Sequence, residues 1–351
     1  MDRIVNVGII GLGGISPSHT VNYENDPRTK ITAVCDTDEP WLALEKERLG
    51  ADHAYADYHD LLKNPDVDAV VICLPTWLHA QASIDALNAG KHVLCEKPMA
   101  CSSAEARAMK AAAERAGKKL MVSHQQRFGQ DIQLLRKLNQ ENFFGEIYFM
   151  RLGWRRPMGI MPTPDEKRPN GMPYNRNWFN EKDKGGGVLR DLGSHLLDLA
   201  LYITDFPALD SAHASTYRKF HPELSVAELE KHVFDSEDLA AAHIKFVGGL
   251  SFELEVSFGS MIDEEVLLTE IYGTKAGASR RFSCGIGGVK LFRADESAIS
   301  TETIKKINMP TIHPDTLFID SILNDTECPM PPEQGVQVID ILDAIYASAR
   351  A

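Results

Sequence analysis

Gly11-Leu-Gly-Gly-Ile-Ser16 directly follows the apolar run Ile4–Ile10, and this stretch decides the fold of the first part of the chain. The apolar run predicts a buried strand. The glycines predict a tight turn whose backbone can approach a pyrophosphate at the start of a helix. A second apolar strand, Ile31–Cys35, ends at Asp36, about twenty residues beyond Ser16, where an acid can hold a ribose 2′-hydroxyl. Ser16 stands in place of the last glycine or alanine of the G-x-G-x-x-G/A pattern and is small enough to be tolerated. We therefore predict an NAD-binding half-domain with these cofactor contacts: Gly11, Leu12, Gly13, Gly14, Ile15 and Asp36.

Helical and apolar segments continue to alternate after the second strand, which predicts a doubly wound parallel sheet. Val67–Leu74 is typical of a strand buried on both faces, and it runs into Pro75–His79. His92–Cys95 is a shorter strand that ends in Glu96–Pro98. Because ligands of such sheets gather at the carboxyl ends of strands, these two turns and the glycine loop are expected to line one crevice. Residues 1–123 are predicted to form an NAD-binding Rossmann domain.

Beyond residue 123 the sequence no longer shows the regular alternation of helical segments and buried strands. Arg155–Lys184 is a long polar stretch with five prolines and no periodicity, which is typical of a functional loop. Leu250–Phe258 alternates strictly between apolar and polar residues and so predicts a strand with one covered and one open face, as in antiparallel sheets. Residues 124–330 are predicted to form a second α/β domain, and Val336–Ser348 a final amphipathic helix. The residues expected on the open face, available to a partner subunit, are Ser251, Glu253, Glu255 and Ser257.

Composition limits the classes of function. The 351 residues exceed what one hydrophobic core usually supports, which favours two domains. With 37 basic and 50 acidic side chains the net charge is −13, so neither nucleic acid nor an anionic membrane is an expected partner. The first residues lack the features of a signal or spanning segment, and we expect a cytoplasmic protein. The six cysteines contain no C-x-x-C pair, so neither a metal site nor a disulfide framework is expected.

Two groups of residues could carry chemistry. Gly185-Gly-Gly187 opens a predicted helix, Leu189–Ile203, on which Asp191, His195 and Asp198 follow at i, i+4 and i+7 and so share one face. His195 is either a satisfied core histidine or an acid–base group; a metal ligand is disfavoured because no second histidine lies at ligand spacing. Lys97 is either a solvated charge or, at the carboxyl edge of the cofactor sheet, a proton donor or acceptor.

At this point the chain resembles the Gfo/Idh/MocA family of oxidoreductases along essentially its whole length. The resemblance lies in five motifs in order: Gly11–Ser16, Pro75-Thr-Trp-Leu-His79, Glu96-Lys-Pro98, Gln125-Gln-Arg-Phe128 and Gly185-Gly-Gly-Val-Leu-Arg-Asp-Leu-Gly-Ser-His-Leu-Leu-Asp198. It implies a Rossmann domain, a C-terminal domain with a large open, mostly antiparallel sheet, and a last segment, residues 331–351, that returns to the first domain. It also implies a cis Lys97–Pro98 bond, NAD as cofactor, a polyhydroxylated ring as substrate, and a homodimer or homotetramer formed through the open sheets.

The resemblance assigns the roles of family residues to the residues at the same motif positions in this chain. Lys97 resembles the family lysine that binds the reacting hydroxyl, and His195 resembles its general base, with Asp191 orienting the imidazole. The positions similar to residues around the nicotinamide and its ribose are Pro75, Trp77, His79, Glu96, Lys97 and Gln125. Those expected to contact substrate are Lys97, Arg127, Arg156, Trp178, Asp191 and His195.

Three functions fit these residues. The favoured one is an NAD-dependent dehydrogenase that oxidises a ring hydroxyl of a sugar, a sugar derivative or a cyclitol. A second is a glycoside hydrolase that keeps NAD and cleaves through transient oxidation, and it would form product without net NADH. A third is a non-catalytic sensor of sugar or NAD, which would bind ligand without turnover.

Overall fold

The computed structural model describes residues 3–158, 177–220, 232–283, 285–295, 298–310 and 312–350. The predicted long loop Arg155–Lys184 therefore lies in part outside the described residues. The described chain divides into two compact units. The first gathers residues 3–125 and 312–339, and the second gathers the described residues of 126–158, 177–310 and 340–350. Among the described residues no helix is long and apolar enough to cross a membrane.

The first unit contains a six-stranded parallel sheet with the strand order β3-β2-β1-β4-β5-β6. Its strands are β1 Val5–Ile10, β2 Thr29–Cys35, β3 His53–Tyr55, β4 Ala69–Ile72, β5 His92–Glu96 and β6 Leu120–Ser123. Its helices up to β6 are α1 Ser16–Asn25, α2 Glu39–Leu49, α3 Tyr58–Leu62, α4 Thr76–Asn88 and α5 Ser103–Ala116. The order reverses between β1 and β4, which is the point where open α/β sheets bind dinucleotides. The predicted Rossmann sheet is confirmed.

The largest differences from the sequence prediction in this unit lie at β4 and α4. The strand expected over Val67–Leu74 is only Ala69–Ile72. Helix α4 begins at Thr76, inside the predicted turn Pro75–His79, because Pro75 occupies its N-cap and starts the first turn. Trp77 and His79 therefore lie on a helix and not in a loop.

The second unit contains an eight-stranded sheet with the strand order β14-β13-β12-β11-β7-β10-β9-β8. Its strands are β7 Ile147–Pro157, β8 Leu209–Tyr217, β9 Leu239–Phe246, β10 Ser251–Ser260, β11 Val266–Gly273, β12 Ala276–Ser283, β13 Ile286–Asp295 and β14 Ala298–Ile304. Among the strand pairs that the structure describes in this sheet, only β7–β10 is parallel, which confirms the mostly antiparallel sheet. Among the described residues, the other α-helices are α6 Gln130–Gln140, α7 Ser194–Ile203, α8 Pro314–Leu323 and α9 Pro332–Ala349.

Strand β10 shows the predicted alternation with one exception. Phe252, Leu254 and Val256 are at most 2% exposed, whereas Glu255 points to solvent. Ser257 was expected on the open face but is 0% exposed, and its hydroxyl accepts a hydrogen bond from Ser260 at 2.8 Å. The end of β10 is therefore covered on both faces, so Ser257 does not belong to the open face.

Candidate active site

The glycine loop after β1 is fixed by close contacts that only glycine allows. Gly11 has φ +90°, and a Cβ at this position would lie 2.6 Å from the carbonyl oxygen of Cys73 at the end of β4. The backbone N–H of Leu12 donates to a carboxylate oxygen of Asp36 at 2.9 Å, and the N–H of Asp38 donates to the other at 3.0 Å. Asp36 thus joins the glycine loop to the end of β2. Because a carboxylate has about four acceptor sites, two remain for hydroxyl donors.

The contacts of Ser16 explain why a serine can replace the last glycine or alanine of the glycine pattern. It begins α1, is 1% exposed, and donates its hydroxyl to the carbonyl oxygen of Gly13 at 2.9 Å. The Ser16 hydroxyl thus has its hydrogen-bond partner within the glycine loop, and the side chain is small enough for α1 to pack closely there. Gly13, Gly14 and Ile15 form the turn between β1 and α1, and Gly14 is exposed at its tip.

The three predicted residues of the turn after β4, Pro75, Trp77 and His79, lie in different environments. Pro75 caps α4, and Trp77 is 45% exposed on the first turn of that helix. His79 is 1% exposed, with Nδ1 2.8 Å from the carbonyl oxygen of Pro98 and Nε2 2.7 Å from that of Leu74. His79 therefore ties the turn after β4 to the turn after β5; its predicted contact with the cofactor stays a prediction.

Lys97 follows β5, at the same sheet edge as the glycine loop. It is half-buried, and its peptide bond to Pro98 is cis. The Lys97 N–H donates to one carboxylate oxygen of Glu96 at 3.2 Å, and the other oxygen lies 2.8 Å from Nε2 of His19. The opposite nitrogen of His19 lies 2.7 Å from Asp315 at the start of α8.

His19 is a charged residue that the sequence analysis missed. Burial alone would lower its pKa, but the hydrogen bonds and charges of Asp315 and Glu96 raise the pKa to about 10. Burial disfavours ionisation of Glu96, yet the hydrogen bond to His19 keeps the pKa of Glu96 below its usual range. A buried imidazolium therefore lies between two carboxylates, and one of these, Glu96, also accepts from the Lys97 N–H. The only local signal was a histidine on the buried face of α1, because its partner Asp315 is distant in sequence.

In the second unit, tight glycine packing shapes the turn that leads into α7. A Cβ on Gly186 would lie 2.5 Å from the carbonyl oxygen of Phe179, and one on Gly187, whose φ is +107°, would collide with the Glu237 carboxylate. That carboxylate accepts from the Leu189 N–H at 3.0 Å and from the Tyr346 hydroxyl at 2.8 Å. Burial raises the pKa of Glu237. Glu237 thus anchors the first turn of the segment that bears Asp191 and His195.

The predicted continuous helix Leu189–Ile203 is interrupted. Leu189–Gly193 forms a π-helical turn, and α7 begins only at Ser194, so the i, i+4, i+7 geometry of a regular α-helix does not extend from Asp191 to Asp198. His195 lies in the first turn of α7, is 6% exposed, and its ring centre is 5.9 Å from that of Trp154 on β7. Asp191 is half-buried within the π-helical turn.

Asp198 has a partner of its own. Its carboxylate forms a two-point ion pair with Arg127: Nε donates at 2.9 Å, and a second, short contact is made by Nη2. Both side chains are 1% exposed, and the guanidinium also lies 5.0 Å from the ring centre of Tyr202. This geometry favours a structural role for Arg127, and its predicted contact with substrate stays a prediction.

The remaining predicted residues, Arg156, Trp178 and Gln125, are described by their local contacts. Arg156 donates from Nε to Glu265 at 3.0 Å and lies over the ring of Trp154. Trp178 stacks on Phe179 with ring centres 3.9 Å apart. Gln125, in the first unit, begins a short 3₁₀ turn after β6. Among the described residues, no group of three His, Cys, Asp or Glu side chains could hold a metal ion.

Comparison with known proteins gives consistent matches along the chain. A family model described as "Oxidoreductase family, NAD-binding Rossmann fold" matches residues 5–124, and the model "GFO/IDH/MocA C-terminal domain" matches residues 132–279. D-glucoside 3-dehydrogenase of Escherichia coli K12 is 28% identical over 98% of this chain and 95% of its own length. Myo-inositol 2-dehydrogenase of Thermotoga maritima is 31% identical over 57% of this chain and 54% of its own length. The solved structure "Levoglucosan dehydrogenase, complex with NADH and levoglucosan" superposes with a TM-score of 0.84 at 22% identity, covering 99% and 98% of the two chains, and shows the fold.

Proposed function

The chain belongs to the Gfo/Idh/MocA family of NAD-binding oxidoreductases, and from this premise we propose that it oxidises a ring hydroxyl of a sugar, a sugar derivative or a cyclitol. The observation that carries the proposal is the position of Lys97: it follows β5, two strands from the glycine loop on the same carboxyl edge of the sheet. The whole-length similarity to D-glucoside 3-dehydrogenase supports a sugar hydroxyl as the reacting group.

The residues of the first unit fit NAD. Gly11 lets the backbone of the glycine loop pack against the backbone of Cys73, which a Cβ would prevent, and the Asp36 carboxylate keeps acceptor capacity after its two backbone hydrogen bonds. We assign Gly11–Ile15 to the pyrophosphate and Asp36 to the adenosine ribose. Pro75, Trp77, Glu96, Lys97 and Gln125 are assigned to the nicotinamide end. Bound NAD supplies the acceptor for the hydride that leaves the substrate carbon.

The protein's own groups handle the proton and the orientation of the hydroxyl. In the proposal Lys97 donates a hydrogen bond to the reacting hydroxyl, and His195 takes its proton as general base. Asp191 orients His195 and favours the imidazolium that results. The low exposure of His195 and its contact with Trp154 support this role, because both restrict the ring and exclude water. His19 holds Glu96 as a carboxylate and thereby fixes the turn that bears Lys97.

The test is NADH formation from a panel of substrates. The protein is incubated with NAD and, in turn, with pyranoses, methyl glycosides, anhydrosugars and inositols, and absorbance of NADH is followed. We expect steady NADH production with at least one sugar or cyclitol. Glycoside cleavage without net NADH would favour the hydrolase instead, and binding without either product would favour a sensor.

We further propose that the protein is a homodimer or homotetramer assembled through the open face of the eight-stranded sheet. This face alternates charged and aromatic side chains on its central strands, among them Arg151, Glu255, Glu270 and Tyr272. A cytoplasmic location stays a prediction from the sequence.

A further inference from the structure

A row of apolar side chains leads away from His195 across the second unit's sheet. In the register of the strands, Trp154 on β7 lies opposite Leu267 on β11, and Leu267 lies opposite Phe282 on β12. Cross-strand neighbours point to the same face, so the three side chains form one row. On the other side of Trp154 the row continues to Val256 of β10, which is 0% exposed. The row is therefore fully covered at β10 and only partly covered from Trp154 to Phe282.

The partly covered end of the row forms a cavity, which we call the aromatic bay. Its volume is about 290 Å³, and it is lined by Trp154, Glu265, Leu267, Arg280, Phe282 and Gly285. An apolar cavity of about 150 Å³ already holds a benzene molecule. The aromatic bay is thus large enough for a phenyl ring or a group of similar size. Trp154, which lines the aromatic bay, is also in contact with His195, and their ring centres are 5.9 Å apart.

The charged groups of the aromatic bay are already paired within the protein. Glu265 accepts from the Trp154 indole N–H at 2.7 Å and from Arg156 at 3.0 Å through the same oxygen. Arg280 donates to Asp131 and lies 5.0 Å from the ring centre of Phe282. These pairings cancel the local charge and hold the two aromatic rings in place. What the bay offers a ligand is therefore mainly the surface of Trp154, Leu267 and Phe282, which favours an apolar or aromatic group over an ionic one.

We propose that the aromatic bay receives the aglycone of a glycoside whose sugar ring is oxidised beside His195. The substrate class would then be O-glycosides with an apolar or aromatic aglycone, rather than free sugars or inositols. This inference rests on the proposed dehydrogenase function and names its substrate class. The aglycone does not react; its burial against the row of apolar side chains adds binding energy and holds the sugar in place.

The first experiment compares three substrates that share one sugar. Glucose, methyl glucoside and phenyl glucoside, each glucoside in both anomers, are assayed with NAD, and the series is repeated with galactose and mannose. For the sugar that reacts fastest, we expect kcat/KM of the phenyl glycoside to exceed that of the methyl glycoside by about tenfold, mainly through KM. Equal values within about twofold would overturn the aglycone site and leave the dehydrogenase function intact. No NADH from any sugar or cyclitol would instead reject the dehydrogenase function itself.

Variants of the aromatic bay test whether it causes the preference for phenyl over methyl glycosides. Leu267→Gln puts an amide at the centre of the row, and Phe282→Ala removes one aromatic wall. Each is expected to reduce the phenyl-to-methyl ratio of kcat/KM to about one, and because the ratio compares two substrates on one variant, a general loss of folded protein does not move it. Leu44→Gln on the exposed face of α2 is the matched control and should keep the wild-type ratio. A phenyl preference that persists in both bay variants would exclude the aromatic bay as its origin.

Discussion

At the scale of single residues, the proposed chemistry depends on two side chains in different environments. Lys97 is half-buried after β5, and His195 is 6% exposed in the first turn of α7. We expect Lys97→Ala and His195→Ala each to lower kcat by about 10²–10⁴-fold, because general acid–base groups typically contribute that much. Both variants should still bind NAD, as measured by fluorescence titration, since neither change alters the glycine loop that is assigned to the pyrophosphate.

The matched control for this prediction is Lys63→Ala, whose side chain is 75% exposed in the same unit as Lys97. It should retain wild-type kcat. A Lys97→Ala or His195→Ala variant that keeps more than about a tenth of the wild-type kcat with its best substrate would remove that residue from the proposed acid–base role.

Asp36 determines the expected choice of cofactor. Its carboxylate is held at the glycine loop by the N–H groups of Leu12 and Asp38, and no arginine follows it directly in sequence to accept a 2′-phosphate. We expect NAD to bind more tightly than NADP. We expect Asp36→Ala to lower the affinity for NAD by about tenfold and so to reduce the difference in affinity between NAD and NADP. Fluorescence titration of both cofactors measures this, with the exposed Asp52→Ala as control. Comparable dissociation constants for NAD and NADP in the unmodified protein would contradict the assignment.

At the scale of elements, the buried imidazolium of His19 joins α1, the end of β5 and the start of α8. The pKa of His19 in the folded protein, about 10, lies above the ordinary histidine pKa of 6.5. The histidine's contribution to stability is therefore fully present below about pH 6.5 and is lost as the pH rises through about 10. Glu96, whose pKa is lowered, contributes above its ordinary pKa and stays ionised throughout this window.

We therefore predict that the free energy of unfolding falls between pH 6.5 and pH 10 more steeply in the unmodified protein than in His19→Gln. The glutamine keeps hydrogen-bonding capacity but carries no charge, so the difference, on the order of 1–4 kcal/mol, reports the imidazolium. Chemical denaturation at a series of pH values measures it. His59→Gln serves as control, because the His59 side chain is 55% exposed. Parallel pH profiles for His19→Gln and the unmodified protein would mean that His19 is neutral in the folded state.

The elements also show what the sequence could and could not predict. Both ends of helix α5 can be predicted from the sequence because their signals are local: the Ser102 side chain accepts from the Glu105 N–H, and Gly117 ends the helix in the left-handed region. The π-helical turn at Leu189–Gly193 was missed, since it depends on Glu237, which reaches the turn from a distant segment. The pairs His19–Asp315 and Arg127–Asp198 were missed for the same reason. Long-range partners leave no trace in spacing or periodicity.

At the scale of the whole molecule, the eight-stranded sheet leaves one face with exposed charges on its central strands. Arg151 lies 3.9 Å from Glu270, and Arg155 lies 3.8 Å from Glu255. These ion pairs are partly exposed to solvent within one chain and contribute little to its stability. Between two copies of the face the same charges would be desolvated and would have to pair across the contact, so they would govern how the copies align.

We predict a homodimer or homotetramer, and the sharpest test of the contact is Glu255→Trp. The Glu255 side chain is 49% exposed on β10, so a bulky ring can be placed there without disturbing the core, whereas the buried Ser257 would not allow it. Because a symmetric contact brings each patch against its own copy, one substitution acts twice per interface. Light scattering of the unmodified protein should give at least twice 38.9 kDa, and Glu255→Trp should shift the mass toward the monomer while NAD binding persists. Glu47→Trp, on the exposed face of α2, should leave the assembly unchanged. A mass of 38.9 kDa for the unmodified protein at micromolar concentration would refute the assembly, and an unchanged oligomer in Glu255→Trp would place its interface on another surface.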